Sequence, residues 1–506
     1  MTHSTLKTIT IIGGGSTGWM SALYLSKLYN HSGQQVHIRL IESQDIGIIG
    51  VGEATVHSIR FFFAAMGIDE AELLRETNAT LKTGILFRNW MKPKDGQMHS
   101  YFHPFEQQKP CGPLDNASAW LMQNQRNSQT LDFAEHTSLS YNLMRDNLSP
   151  KHAQSQAYQG IVPYGYHLDA LLMARFLRKK ATEAGVEHIV ANVTDADVDG
   201  ENITQVFTDK GNFSSDIFID CSGFKGLLIE KLKADNWRSF EDALPCNRAV
   251  AIQWEYGDNK TPRAYTTSTA LSNGWVWEID LVNRQGTGYV YDGRRQSREE
   301  AEAELRAYLG DKQSILKATH LEMKIGCRKA FWVGNCIAMG LAGGFIEPLE
   351  STGLHLINLG VRLLATHLTC ANPSQAVRDS YNRTMSGLYD DLRQFIVLHY
   401  CLTDRDDTEF WQQAQQSMHS VPGLNEKLSL WQDKVCEHVD VATGFSSIFS
   451  DENYRYILYG MQHLPKLALP VAQETLDGMF NQLGRLKRQA TNQCLSHQAY
   501  LDSLKQ

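Results

Sequence analysis

Gly13-Gly14-Gly15-Ser16-Thr17-Gly18-Trp19 is the stretch whose reading decides the fold. Thr8-Ile9-Thr10-Ile11-Ile12 precedes it, β-branched and apolar as a buried strand should be, and Met20 to Leu28 follows as a helix with a mostly apolar face. Gly13, Gly15 and Gly18 stand at the G-x-G-x-x-G spacing. The first glycine permits a tight turn, the second lets a pyrophosphate reach the backbone, and the third lets helix and strand pack closely. The helix start, with Ser16 and Thr17 in its first turn, offers unpaired N–H groups and a positive dipole end to phosphates. A second strand, Val36 to Ile41, ends in Glu42, where a carboxylate would hold ribose hydroxyls. Together these predict a dinucleotide site; an ordinary glycine-rich turn leaves Glu42 without a reason.

The 506 residues exceed one ordinary core, so two or three modules are expected. A chain that is 42% hydrophobic and 21% charged is of the soluble globular kind, and its net charge of −8 argues against nucleic acid as a partner. Nine cysteines, odd in number and never in C-x-x-C, fit reduced thiols of a cytoplasmic protein rather than a disulfide framework or a metal site. The start lacks the pattern of a signal peptide, and no run is long enough for a membrane helix.

Along the chain, Ile46 to Thr55 is glycine-rich and reads either as a surface turn or as backbone close to a cofactor, with Val51, Gly52, Glu53 and Ala54 beside it. Helices are expected over Val56–Met66 and Asp69–Asn78. Lys82 sits among apolar residues before an alternating strand, where a lysine ordinarily snorkels to solvent. His103 and Phe105 are two apart and share one side of an extended segment, as an aromatic pocket wall or as an edge with a satisfied histidine. Asp115 to Leu148 reads as helices with loops, Ala170 to Ala184 as an amphipathic helix, and His188 to Val193 as a strand returning to the first sheet, with Val193 on the adenine side. A meander over Val206–Phe213 and a buried strand in Asp216–Phe224 follow. Residues 245 to 325 are β-rich, with Trp275 and Trp277 on one strand face. Trp332 to Leu341 reads as another buried strand. Gly343 to Leu354 then opens a helix through Leu368, with Ser351 and Thr352 as caps and its N–H groups facing something electron-rich. From about 374 the chain is mostly helical.

Four stretches, in order along most of the chain, resemble the flavin-dependent tryptophan halogenase family: Gly13–Trp19; Lys82 with Gly84-Ile85-x-Phe87-x-x-Trp90; Gly274-Trp275-Val276-Trp277-Glu278-Ile279; and Glu347-Pro348-Leu349-Glu350-Ser351-Thr352-Gly353. The resemblance implies an α/β fold with α+β insertions: a GxGxxG FAD-binding fold of the flavin monooxygenase type, a β-rich substrate module and a helical C-terminal region. The FAD-binding module would comprise residues 1–100, 161–235 and 326–370, with a substrate-module insertion at 101–160, the β-rich module at 236–325 and the helical region at 371–506. Reduced FAD (FADH2) from a separate flavin reductase would react with O2, and chloride or bromide would become hypohalous acid. That oxidant would pass through an internal tunnel to Lys82, which orients it or captures it as a haloamine. An electron-rich aromatic ring then attacks the halogen, and Glu350 stabilises the cationic intermediate and takes its proton. Backbone N–H groups of Thr352 and Gly353 would hold the halide, Leu341 and Leu354 would flank the flavin, and Trp275 and Trp277 would keep substrate away from it. His103, Phe105, Ser351 and Tyr454 would line the substrate site. Glu347 is the rival carboxylate; the motif match favours Glu350.

The sequence departs from the family pattern in three places. Asp280 stands where the motif has proline, no tryptophan follows Trp431, and Met461-Gln462-His463 stand where an acid would bind the substrate ammonium. The expected substrate is therefore tryptophan, indole or a larger indole-like aromatic. Expected partners are the reductase and this small aromatic, with neither nucleic acid nor membrane, and room is left for a homodimer. Two other readings stand beside this one: an aromatic hydroxylase, for which a second glycine fingerprint for NAD(P)H is missing, and a non-enzymatic flavin-binding redox sensor.

Overall fold

The structure, a computed structural model, describes residues 4–505 except 34, 46, 48–51, 109, 128–130, 153, 234, 257–260, 311–314 and 442–447, and the backbone alone of 315–317. Val51, expected beside the cofactor, lies outside the described residues.

Thr8–Ile12 is a strand with three of its isoleucines, Ile9, Ile11 and Ile12, buried. It lies between Ile217–Asp220 and His37–Glu42, pairing with both in parallel. The six-stranded sheet runs Trp332–Val333, Cys336–Ala338, Ile217–Asp220, Thr8–Ile12, His37–Glu42, Glu187–Val190. The returning strand therefore docks beside Glu42, as its sequence suggests. The helix Ser16–Tyr29 packs on Ala170–Glu183 and Gly353–His367, covering one face of this sheet. The stretch read as one strand from Trp332 to Leu341 is instead a hairpin of Trp332–Val333 and Cys336–Ala338, because Gly334 turns the chain at φ +54°. The two early helices are shorter than expected, Ile59–Ala65 and Glu70–Glu76, the second capped by Asp69 accepting from the Glu72 N–H.

A second sheet of seven strands runs Ile315–Glu322, Arg248–Glu255, Arg284–Tyr291, Gly274–Asp280, Thr266–Ala270, Gly84–Arg88, Ser100–Pro104. The Trp277 ring fills the space over Gly288 directly opposite, which a Cβ there would take away. A small third sheet is made of Glu53–Ala54, Gly165–Leu168 and Thr80–Lys82. It places Glu53 and Lys82 on the two outer strands of one sheet, and the chain turns at Thr83 from this sheet into Gly84–Arg88 of the seven-stranded one. The C-terminal part is helical, led by the 27-residue helix Gln375–Cys401.

Candidate active site

A cavity of about 490 Å³ starts at the glycine loop and ends at Ser351. Gly13 takes φ +113°, and a Cβ on Gly18 would collide with the Gly13 carbonyl, so both positions need glycine. A Cβ on Gly15 would meet nothing. It points into open space at the start of a helix with no acidic residue in its first turn and no side-chain cap. That is a backbone cradle for an anionic, phosphate-bearing group. Glu42 lies against Gly14 and accepts from His188 Nε2 at 2.7 Å. Ser16, Thr17, Gly52, Glu53, Ala54, Val193, Leu341 and Leu354 all line the same cavity, so the residues expected to hold a dinucleotide converge there. Burial raises the Glu53 carboxyl to about 7.

The far wall is made by the seven-stranded sheet and the start of the helix Gly353–His367. Trp275, Trp277 and Ile279 face the cavity from one strand, and Ser351, Thr352 and Gly353 close it. Thr352 stands at the helix N-cap without a side-chain bond, and Ser351 adopts a left-handed φ of 59°. The expectation that these side chains cap the helix is not met. The Ser351 hydroxyl instead accepts from Lys82 Nζ at 2.7 Å. Ser351 thus belongs both to the cavity wall and to the surroundings of Lys82.

Lys82 does not snorkel. It is fully buried, with Nζ 5.1 Å from the centre of the Phe105 ring. Burial holds its ammonium down to about 7 against the upward pull of Glu350. The strand that carries it is fastened from several sides. Thr80 donates to the Asp280 carbonyl at 2.5 Å, Thr83 N–H donates to the Ala264 carbonyl at 2.8 Å, and Leu81 N–H donates to His497 Nε2 at 3.1 Å. Asp280, the residue in the place of proline, is fully buried and accepts from Arg263 Nε at 2.8 Å and Nη2 at 2.9 Å.

Glu350, also fully buried, sits between two imidazoles. Asn453 commits its Oδ1 to the Ser450 N–H and turns Nδ2 to His103 Nε2 at 2.9 Å. His103 therefore carries its proton on Nδ1, which donates to Glu350 at 2.9 Å. His399 Nε2 lies 3.0 Å from the other carboxylate oxygen, and His399 Nδ1 is bonded to the Tyr101 hydroxyl at 2.6 Å. Burial alone would raise the Glu350 carboxyl, but His103 and His399 outweigh it and bring it down to about 2. His103 is thus a partner of Glu350 as well as a ring beside Phe395 and Phe449, at 5.8 and 6.2 Å. Tyr454 is fully buried, with its hydroxyl accepting from Gln394 at 2.8 Å and its ring against Phe395 and Trp431. His399, Tyr101 and Asn453 have no signal in the sequence; only the fold brings them to Glu350. Among the described residues, no group of three or more His, Cys, Asp or Glu is arranged to hold a metal ion, and no helix is long and apolar enough to cross a membrane.

The chain is similar to known proteins along most of its length. The family profile described as tryptophan halogenase matches residues 8–477. The chain is 33% identical over 498 residues to the tryptophan 6-halogenase SttH of Streptomyces toxytricini, covering 92% of each. It is 36% identical over 454 residues to the 7-chloro-L-tryptophan 6-halogenase KtzR of a Kutzneria species, covering 84% of this chain and 85% of that one. Among solved structures, Tar14, a tryptophan C-6 flavin-dependent halogenase from taromycin biosynthesis, superposes with a TM-score of 0.89 at 32% identity, over 99% of this chain and 100% of that one.

Proposed function

The chain belongs to the tryptophan halogenase family and is a flavin-dependent halogenase, an oxidoreductase; from that premise we propose that it uses O2 and FADH2 to oxidise chloride or bromide and transfers the halogen to an electron-rich aromatic ring through Lys82 and Glu350. The observation that carries the reading is Ser351, which lines the glycine-loop cavity and also accepts from Lys82. An oxidant formed in the cavity meets Lys82 one side chain beyond its wall.

The open backbone at Gly15, the uncapped helix start and Glu42 fit FAD, which supplies the reducing equivalents that let O2 oxidise the halide. Backbone N–H groups of Thr352 and Gly353 suit a halide, which offers only charge and size to recognise. Lys82 is held at the boundary between its charged and neutral forms, so it can donate a hydrogen bond to hypohalous acid or, as free amine, accept the halogen. Glu350 stays ionised in a dry setting, where a negative charge best stabilises a ring that turns cationic as it takes the halogen. It then takes the ring proton. His103 and Phe105 would flank that ring, and Trp275 and Trp277 would keep it from the flavin, which disfavours hydroxylation. A separate flavin reductase is the expected source of FADH2.

The relatives' names point to tryptophan. Tyr454, however, is occupied by Gln394, so an anchor for the amino-acid end is not prepared there. An indole ring, free or within a larger molecule, is the substrate class. Incubation with a flavin reductase, NADH, FAD, either halide and a panel of tryptophan, indole, phenols and indole-bearing peptides tests this, with products read by mass. A halogenated indole-type product is expected. Hydroxylated product independent of halide, or no product with any member of the panel, would contradict the reading.

A further inference from the structure

Glu347 and Glu350 flank Pro348 and Leu349 on one short segment, and both are fully buried. Their surroundings differ. Glu350 faces His103 and His399. Among the described residues Glu347 has no ion pair: its Oε2 accepts from the Trp275 indole N–H at 3.2 Å and from the Tyr400 hydroxyl at 3.0 Å, the Cys246 thiol also lies against the carboxyl, and Oε1 has no hydrogen bond at normal geometry. Tyr400 is itself wedged, with the Trp90 ring at 5.4 Å and the Trp411 ring at 6.2 Å. It directly follows His399, so a single turn of the helix Gln375–Cys401 reaches both acids.

We propose that Glu347 is the positioning residue of the wall between the two halves of the site: backed by Tyr400, it pins the Trp275 indole across the cavity so that oxidant can leave only past Ser351 toward Lys82. This rests on the reading in which Trp275 separates the flavin side from the aromatic side. A buried indole N–H needs an acceptor, and Glu347 is the one it has. Both donors converge on a single oxygen, so one acceptor serves the Trp275 indole and the Tyr400 hydroxyl together. Burial raises the Glu347 carboxyl to about 7 against the hydrogen bonds it accepts. Glu350, which His103 and His399 hold ionised, is the negative charge facing the aromatic ring in that reading. The motif's first glutamate thereby has a role distinct from its second.

Glu347→Gln keeps an acceptor oxygen for both donors; Glu347→Leu removes it at similar volume; Tyr400→Phe removes only the backing donor. Crystal structures and turnover of all three test the proposal. In Glu347→Gln the Trp275 ring should stay in place, with halogenated product per reduced flavin within roughly twofold of the parent. In Glu347→Leu the ring should turn. Product per flavin should then fall roughly tenfold and hypohalite caught by an added dimedone scavenger should rise, while KM for the aromatic moves less than roughly threefold. If Glu347→Leu does not fold, Tyr400→Phe should show the same displacement and a several-fold loss of coupling. An unmoved Trp275 and unchanged coupling in whichever of these variants folds would overturn the proposal. So would Glu347→Gln failing as badly as Glu347→Leu, since the proton and not the acceptor would then matter. A parent protein that halogenates no aromatic, with Trp275 displaced in Glu347→Leu, would reject the functional reading and keep the positioning role.

Discussion

The glycine cradle and the buried Lys82–Glu350 cluster, which Ser351 links, are built on opposite principles. The cradle is backbone: Gly13 and Gly18 let turn and helix pack closely, and Gly15 leaves the helix N–H groups facing open space. It is a place prepared for a large anionic guest. The cluster is side chain: a lysine and a glutamate, both fully buried, are surrounded by Ser351, His103, His399 and Phe105. One end attracts charge by leaving donors free, and the other perturbs charge by burying it. The two ends therefore answer to different changes. Substitutions in the cradle should alter flavin affinity with chemistry intact, and substitutions in the pocket should alter chemistry with flavin affinity intact.

The sharpest break in that comparison is Glu350→Gln. It should lower halogenation about a hundredfold while flavin binding, followed by fluorescence quenching, is unchanged. Lys82→Met probes the cost of the pocket itself. The folded-state pKa of Lys82, about 7, lies below its ordinary value of 10.5, so between these pH values the unfolded chain binds more protons. The penalty for burying Lys82 is full below pH 7 and fades as pH rises toward 10.5. Lys82→Met should therefore be more stable than the parent by on the order of a few kcal/mol at pH 6 to 7, and the gain should vanish near pH 10.5, as denaturant melts at each pH would report. Gly15→Val places a side chain in the open space of the cradle. It should leave the fold intact and weaken flavin binding roughly tenfold, whereas the same change at Gly18 should cost folding. The smallest effect is expected for Ser351→Ala, which removes one hydrogen bond to Lys82 and should slow turnover only several-fold.

The two ends also differ in how much of them the sequence shows. The cradle is local: strand, glycines and helix follow one another from Thr8 to Tyr29, and the spacing alone states the turn. Glu42 and Val193 were legible because they end or follow strands of the same sheet. The pocket is not local. Lys82 and Glu350 could be named only through the family resemblance, since an isolated lysine beside a strand ordinarily reaches for water. His399 carries no signal at all: it is one residue in a 27-residue helix, and it meets Glu350 because that helix passes behind the segment Glu347–Ser351. Ser351 departs from its expected capping role for the same reason. A serine before a helix predicts a cap, but a left-handed φ there turns the hydroxyl to a lysine from another sheet. Asp280 shows the converse, a departure from motif that its partner Arg263 explains only in three dimensions.

The central claim is that oxidant is made in the cradle cavity and spent at Lys82. Lys82→Ala with FADH2, bromide, O2 and indole, assayed with and without a dimedone scavenger, tests it most directly. The account predicts flavin oxidation and scavenged hypobromite at the parent's rate, with brominated indole reduced about a thousandfold or more. Brominated indole at the parent's rate, or loss of hypobromite together with brominated indole, would contradict it.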